Sequence, residues 1–383
     1  MDCNNHIAEN RSQRIEWIDE MKGVILLFIC IGHISDVIFT PPIVKRFLEI
    51  LTVIGVPTFF FLSGLLYKSK DVGFQIYVKR KTESLIIPYF LLSFLFTLFD
   101  PYTYNPQYLM DYLHYPKFMF LQSLGLNEFQ QTSLEFFIGD ICCTVIGISS
   151  RATLPLWFVY VLYFVAISYH GLTRKLKSEN GMLIISVICF VFAIVTSSWW
   201  GGGYLKIVPC LMAFLFYGVG AWVAKYLYFF QRLSLLNIFM IGMACCSCFL
   251  TFFIDEVSFV NGMFPYDKPL LYLLYSFSGI LSILLFVVFL NRISFWGHRL
   301  LKGILRIIAR NSLVILAMHY WAIVVFAVYF KELIPICWQI YVALSFVVLI
   351  CIGSIALFRT KLYMFIGGDK TRQSLQMCFS MKF

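Results

Sequence analysis

Charge is scarce in this chain. Charged residues make up 13% of its 383 residues and hydrophobic ones 60%, whereas a soluble globular domain carries about a quarter charged residues. That shortage excludes an ordinary soluble fold. Acidic residues are fewer still, 20 against 30 lysines and arginines. The resulting net charge of +10 raises nucleic acid as a partner, yet the sequence lacks the single basic stripe that would follow a phosphate backbone. Its basic residues recur instead at the ends of apolar runs, which is how a chain is oriented in a membrane. Membrane lipids are therefore expected around the protein, and nucleic acid is not. Metal-ligand spacing is also lacking. Of the 12 cysteines, Cys30, Cys189, Cys210, Cys245, Cys246, Cys248 and Cys351 lie inside apolar runs, where cysteine acts as a small hydrophobe. The 245–248 group has no histidine or carboxylate beside it, so no metal is expected. The polar N-terminal stretch does not resemble a cleavable signal, and the first apolar run is expected to direct insertion.

What is present is a series of apolar runs of spanning length, about 20 residues each. They lie near 21–39, 48–67, 84–99, 155–170, 181–198, 204–224, 235–254, 269–290, 311–330 and 336–358. Runs of this length predict an all-α, polytopic integral membrane protein of about ten transmembrane helices in a single domain, 1–383. The third run is short, with Pro88 in its first turn, where a missing N–H is harmless. Most basic residues fall in alternate loops. Only Lys45, Arg46, Lys117, Arg151, Lys206, Lys268 and Lys331 fall on the opposite side, so the positive-inside rule puts both termini in the cytoplasm. A long external loop, 100–154, remains. Within it 134–150 is apolar, but Glu135 and Asp140 make a lipid-facing span costly, by about 2.5–3.5 kcal/mol for a central Asp. This segment is expected to be re-entrant or interfacial, and loops this long are usually functional.

The stretch RIEWIDEMKGVILLFICIGHISD, 14–36, carries chemistry. Lys22 and His33 are about three helical turns apart, hence on one face and roughly 16 Å apart along the axis. With Lys22 at the inner boundary, His33 lies near the midplane of a core about 30 Å thick. An ionisable residue at that depth is a functional signal; by position alone, a neutral histidine hydrogen-bonded to another helix fits equally well. His319 lies nine residues beyond Arg310, at a similar depth.

The sequence resembles the acyltransferase-3 family of membrane O-acyltransferases, particularly its fucose O-acetyltransferase-like branch. The resemblance rests on Asp19, Lys22, Gly23, Gly32 and His33, on VPTFFFLSGLLY at 56–67, and on Lys79, Arg80 and Lys81 before Pro88 and Tyr89. It continues with PLWF at 155–158 and ARNSLVILAMHYW at 309–321. It implies a bacterial cytoplasmic-membrane enzyme that moves an acyl group, usually acetyl, from cytoplasmic acyl-CoA to a hydroxyl of a cell-envelope glycan or glycolipid. The resemblance leads one to expect arginine where Lys22 stands, which turns a bidentate phosphate contact into a point-charge one. Glu83 and Ser84 stand where a second basic residue is expected.

Such a transfer needs a base, oxyanion stabilisation and a site for a polyanionic donor. His33 fits a general base, and Asp36, three residues on, can orient it. His319, with Asn311 and Ser312, can line the same cavity. Lys22, Lys79, Arg80 and Lys81 can cradle the phosphates of acetyl-CoA, although the positive-inside rule also accounts for such cations. Trp157 and the stretch SWWGGGY at 198–204 can stack on sugar rings, as aromatic-belt residues also would. The alternative is a proton-coupled secondary transporter using His33, Asp36 and His319 as a relay. That reading requires repeated halves with broken helices, and the sequence has no such repeat.

Overall fold

The computed structural model describes residues 16–35, 38, 40–67, 72–100, 141–142, 144–147, 153–200, 206–250, 268–293 and 297–360. Among the described residues the secondary structure is helical, with no strand. In chain order the helices are α1 (Glu16–Ile34), α2 (Pro42–Leu65), α3 (Phe74–Leu98), α4 (Trp157–Leu176) and α5 (Glu179–Trp200). There follow α6 (Ile207–Val223), the short α7 (Leu227–Arg232), α8 (Leu235–Leu250) and α9 (Pro269–Arg292). The last three are α10 (His298–Arg310), α11 (Ser312–Tyr329) and α12 (Ile336–Thr360). All but α7 and α10 coincide with the ten apolar runs. Seven, α3–α6, α9, α11 and α12, are long and apolar enough to cross a membrane. Asp36 and most of 100–154 and 198–204 lie outside the described residues.

The boundaries follow local chemistry. The third apolar run begins at 84, but α3 starts at Phe74, so Lys79–Lys81 sit inside a helix rather than in a loop. The ring of Pro88 cannot donate to, and clashes with, the carbonyl four residues back. The helix accommodates it by widening to i→i+5 bonding over Thr82–Ile86, with the Ile87 N–H donating to the Thr82 carbonyl. Such widened turns recur at functional sites. In α10, HRLLKGILRIIAR, Leu305 and Ala309 are buried against α1 while Leu300, Leu301, Ile304 and Ile307 are exposed.

Helices α2 and α6 form the tightest crossing. A Cβ added to Gly64 would lie 1.9 Å from the Tyr217 carbonyl oxygen, and one added to Gly220 would lie 2.0 Å from that of Phe61. The glycines are needed because the two backbones touch, as at small-residue crossings in membranes. Around this pair α1 and α9 pack on α2, and α4 and α5 pack on α6. Gly64→Val should push the helices apart and destabilise the fold by about 1–3 kcal/mol. Thermal unfolding in mild detergent tests this, and an unchanged midpoint would refute the crossing.

At the end of the bundle distal to Lys22, the Trp321 indole N–H donates to the Phe99 carbonyl at 3.0 Å. The Tyr89 hydroxyl donates to the Thr144 carbonyl at 2.9 Å, which ties the 141–147 segment to α3.

Candidate functional site

Two of the sequence-predicted residues meet inside the bundle. His33, in the last turn of α1, has its ring centroid 5.6 Å from that of His319 on α11. The neighbouring Tyr320 ring stands edge-on to His33 at 5.1 Å. His319 is completely buried. Its Nδ1 lies 2.8 Å from the Ile315 carbonyl; since a carbonyl only accepts, Nδ1 carries the proton of the neutral ring. Nε2 then presents a lone pair, and it is buried with no hydrogen-bond partner among the described residues. A buried polar atom left unsatisfied is costly, and this one, unlike the others in the bundle, stands beside a second histidine ring.

Beside this pair lies a small cavity of about 50 Å³, bounded by Ile29 and His33 of α1, Val56 and Phe59 of α2, Leu316 of α11, and Pro155, Trp157 and Phe158. It is large enough for a hydroxyl group or a water, and too small for a sugar ring. Trp157 is half-buried, and the Lys206 ammonium lies 5.8 Å from its ring centroid. Asn311 sits elsewhere. It is buried at the α10–α11 junction, with its side-chain amide donating to the Ile307 carbonyl at 2.6 Å. Ser312 starts α11, seven residues before His319 and so about 10 Å from it along the axis. Neither is among the residues lining the cavity.

The cations gather at the other end of α1. Lys22 and Lys81 are both half-buried and close enough to repel one another. The Lys81 ammonium also lies 5.5 Å from the Tyr77 ring centroid. Lys79 and Arg80 are exposed. Of the three consecutive basic residues, Lys81 is thus the half-buried one whose charge is felt by Lys22.

Two further features hold α1 in place. Gly23 lets α10 approach so closely that an added Cβ would lie 2.4 Å from the Leu305 carbonyl oxygen. One turn before it, Glu20 is only 2% exposed. It accepts from the Arg306 guanidinium at 2.8 and 3.1 Å and from the Asn291 amide at 2.5 Å. The Asp19–Gly23 motif therefore has a structural half, Glu20 and Gly23, beside its cationic half, Lys22.

An aromatic cluster adjoins the cations. The Nε2 of His170 lies 3.1 Å from the Val72 carbonyl, so Nε2 carries the proton and Nδ1 accepts from the Tyr67 hydroxyl at 2.8 Å. Tyr77 stacks on the same imidazole at 4.0 Å between centroids. A phenol is neutral at pH 7, so the Tyr67 hydroxyl can donate.

A family model for an acyltransferase domain, that of acyltransferase-3, matches residues 15–358. The chain belongs to the acyltransferase-3 family. No curated protein and no solved structure gives a significant match. The protein is thus a multi-pass membrane acyltransferase, and its sequence blocks can be followed into its fold. Four of the five, those carrying His33, Val56 and Phe59, PLWF, and His319, converge on the small cavity and the ring pair beside it. The remaining block, Lys79–Lys81, places the charge of Lys81 near Lys22 instead.

Sequence reasoning missed Tyr320, the Glu20–Arg306–Asn291 network and the Tyr67–His170 cluster. A carboxylate at the edge of an apolar run, as Glu20 is, signals a buried partner. The basic amphipathic run 298–310 was the place to seek it.

Proposed function

We propose that this acyltransferase moves an acyl group, usually acetyl, from cytoplasmic acyl-CoA to a hydroxyl of a cell-envelope glycan or glycolipid. In this reading it is a ten-span protein of the bacterial cytoplasmic membrane with both termini inside. The observation that carries it is the His33–His319 ring pair beside one cavity, with His33 on the same helix as Lys22. The axial distance from Lys22 to His33 is roughly 16 Å. The pantetheine arm of CoA is comparable to an extended peptide of about four residues, or about 14 Å. Phosphates held between Lys22 and Lys81 would therefore deliver the thioester to the histidines.

The chemistry follows from that geometry. His33 removes the proton from the acceptor hydroxyl as its oxygen attacks the thioester carbonyl, giving a tetrahedral oxyanion. The carbon–sulfur bond then breaks, and the imidazolium returns the proton to the leaving CoA thiolate. The lone pair on His319 Nε2, beside His33, suits it to orient and stabilise the imidazolium. Trp157, at the rim, suits it to face the sugar.

Purified protein should release free CoA thiol from acetyl-CoA when acceptor is supplied. Lys81→Ala should raise the apparent KM for acetyl-CoA by about tenfold, with little change in kcat. Arg80→Ala should have a smaller, salt-sensitive effect. Absence of acetyl-CoA turnover, with acceptor-rich membranes as substrate, would refute the proposal.

The orientation has its own test. Labelling of introduced cysteines should find residues 171–180 and 291–310 accessible from the cytoplasm and 255–268 from outside. Residue 174 and residue 267 labelled from the same side would sink the ten-span arrangement.

A further inference from the structure

A second, larger cavity has no part in the chemistry above. It measures about 470 Å³, within the range of small-molecule sites and far larger than the space beside His33. Its walls are the end of α4 (Tyr169, Thr173, Arg174), the turn through Lys177 and Ser178, the start of α5, Trp222 in the last turn of α6, Lys225 just beyond it, and Tyr67. Three cations and one carboxylate, Glu179, face it. Glu179 pairs with Lys225 at 3.8 Å, both side chains being more than a third exposed, so that pairing is weak. Arg174 and Lys177 have no ion pair among the described residues. Lys177 also adopts a left-handed backbone, φ 51°, at the helix end, a position usually given to glycine. The Trp222 indole N–H donates to the Asn180 side-chain oxygen at 3.2 Å, and the Lys225 ammonium lies 4.6 Å from the ring centroid, which leaves the opposite face for a base. The positive-inside rule explains cations on this loop, but not an indole gathered around one concavity with two cations that have no ion pair among the described residues. Together these suit a purine that stacks and a phosphate that pairs.

The cavity is joined to the Lys22–Lys81 pair. Tyr67 lines it, and the Tyr67 ring lies 6.3 Å from that of Tyr77, over which Lys81 sits. Tyr67 and Tyr77 thus lead from the cavity toward Lys81. We infer that this cavity takes the adenosine 3′-phosphate end of the acyl-CoA donor, with Trp222 against the base and Arg174 and Lys177 on the 3′-phosphate. The inference rests on the acyl-CoA reading proposed above and adds the site that distinguishes CoA from smaller thioesters.

The test uses the full-length purified protein and titration calorimetry with CoA. Arg174→Gln, Lys177→Gln and Trp222→Leu should each weaken CoA binding by about tenfold or more. Lys175→Gln, which removes an exposed cation of the same loop outside the cavity, should leave it unchanged. Adenosine 3′,5′-bisphosphate should compete with CoA, and AMP should compete far less. Turnover of S-acetylpantetheine, which lacks the nucleotide, should be equal in wild type and the three cavity variants. CoA affinities within twofold of wild type, or equal competition by AMP, would overturn the assignment while leaving the acyl-CoA reading intact. Parallel loss of S-acetylpantetheine turnover would show a folding defect and overturn it too. A wild-type protein that binds no CoA at all would bring down both.

Discussion

Replacing His33 by alanine is expected to lower acyl transfer by about 10²–10⁴-fold, the typical cost of losing a positioned general base, while CoA binding stays near wild type. The geometry separates the two readouts. His33 lines the small cavity with Trp157, whereas Lys22, with the charge of Lys81 near it, lies about three turns away along α1. A variant that loses turnover but keeps CoA affinity is therefore the expected result, measured as thiol release and calorimetric binding on the same preparation. His319→Ala should cost less in rate and more in stability, because it removes a fully buried ring packed among Ile315, Leu316 and His33. His319→Gln tests the orienting role separately, since it keeps polar atoms in place of the ring and cannot carry the imidazole lone pair. Near wild-type turnover in His33→Ala would transfer the role of base to His319, whose Nε2 is already deprotonated and has no hydrogen-bond partner among the described residues.

How much of this was legible from the sequence depends on direction. Along each helix the chain was readable: apolar runs gave helices at all ten expected positions, and helical phase linked Lys22 to the His33 end of α1. The start of α3 was hidden because Lys79–Thr82 interrupts the apolar run, although the helix runs through it by widening a turn before Pro88. Between helices the sequence says little. Lipid tails and neighbouring helices are equally apolar, so hydrophobic periodicity does not tell which face meets which partner. α12 illustrates this: it is apolar all round, and Val348, Leu349 and Ile352 remain exposed. The pairing of His33 with His319 was suggested only by their common depth. That of Tyr67 with His170, 103 residues apart, left no local trace. The cavity at Arg174 was concealed for a different reason, since its cations also satisfy the positive-inside rule and so look already explained.

The other large effect is expected at Glu20. Removing its partner by Arg306→Ala should destabilise the protein by about 3–5 kcal/mol, the usual penalty for stranding one member of a buried ion pair. Glu20 is 2% exposed, and after the change its carboxylate would retain only the Asn291 amide among the contacts at hydrogen-bond distance described for it. The pair links α1 to α10, which continues through Asn311 into the helix bearing His319. Its loss should therefore disturb the His33–His319 spacing as well as the fold. Glu20→Gln with the natural Arg306 should be milder, because the amide oxygen still accepts from the guanidinium and the cation that loses its counter-charge is the more exposed partner, at 27% against 2%. The double variant Glu20→Gln, Arg306→Met should recover most of the stability lost in Arg306→Ala, since an uncharged pair of similar volume avoids the desolvation of both ions. Thermal unfolding of the wild type, Arg306→Met, Glu20→Gln and the double variant in one detergent closes a double-mutant cycle and measures the coupling. A coupling below about 0.5 kcal/mol would mean that Glu20 and Arg306 act independently, and that Gly23 at Leu305 holds α10 against α1 without them.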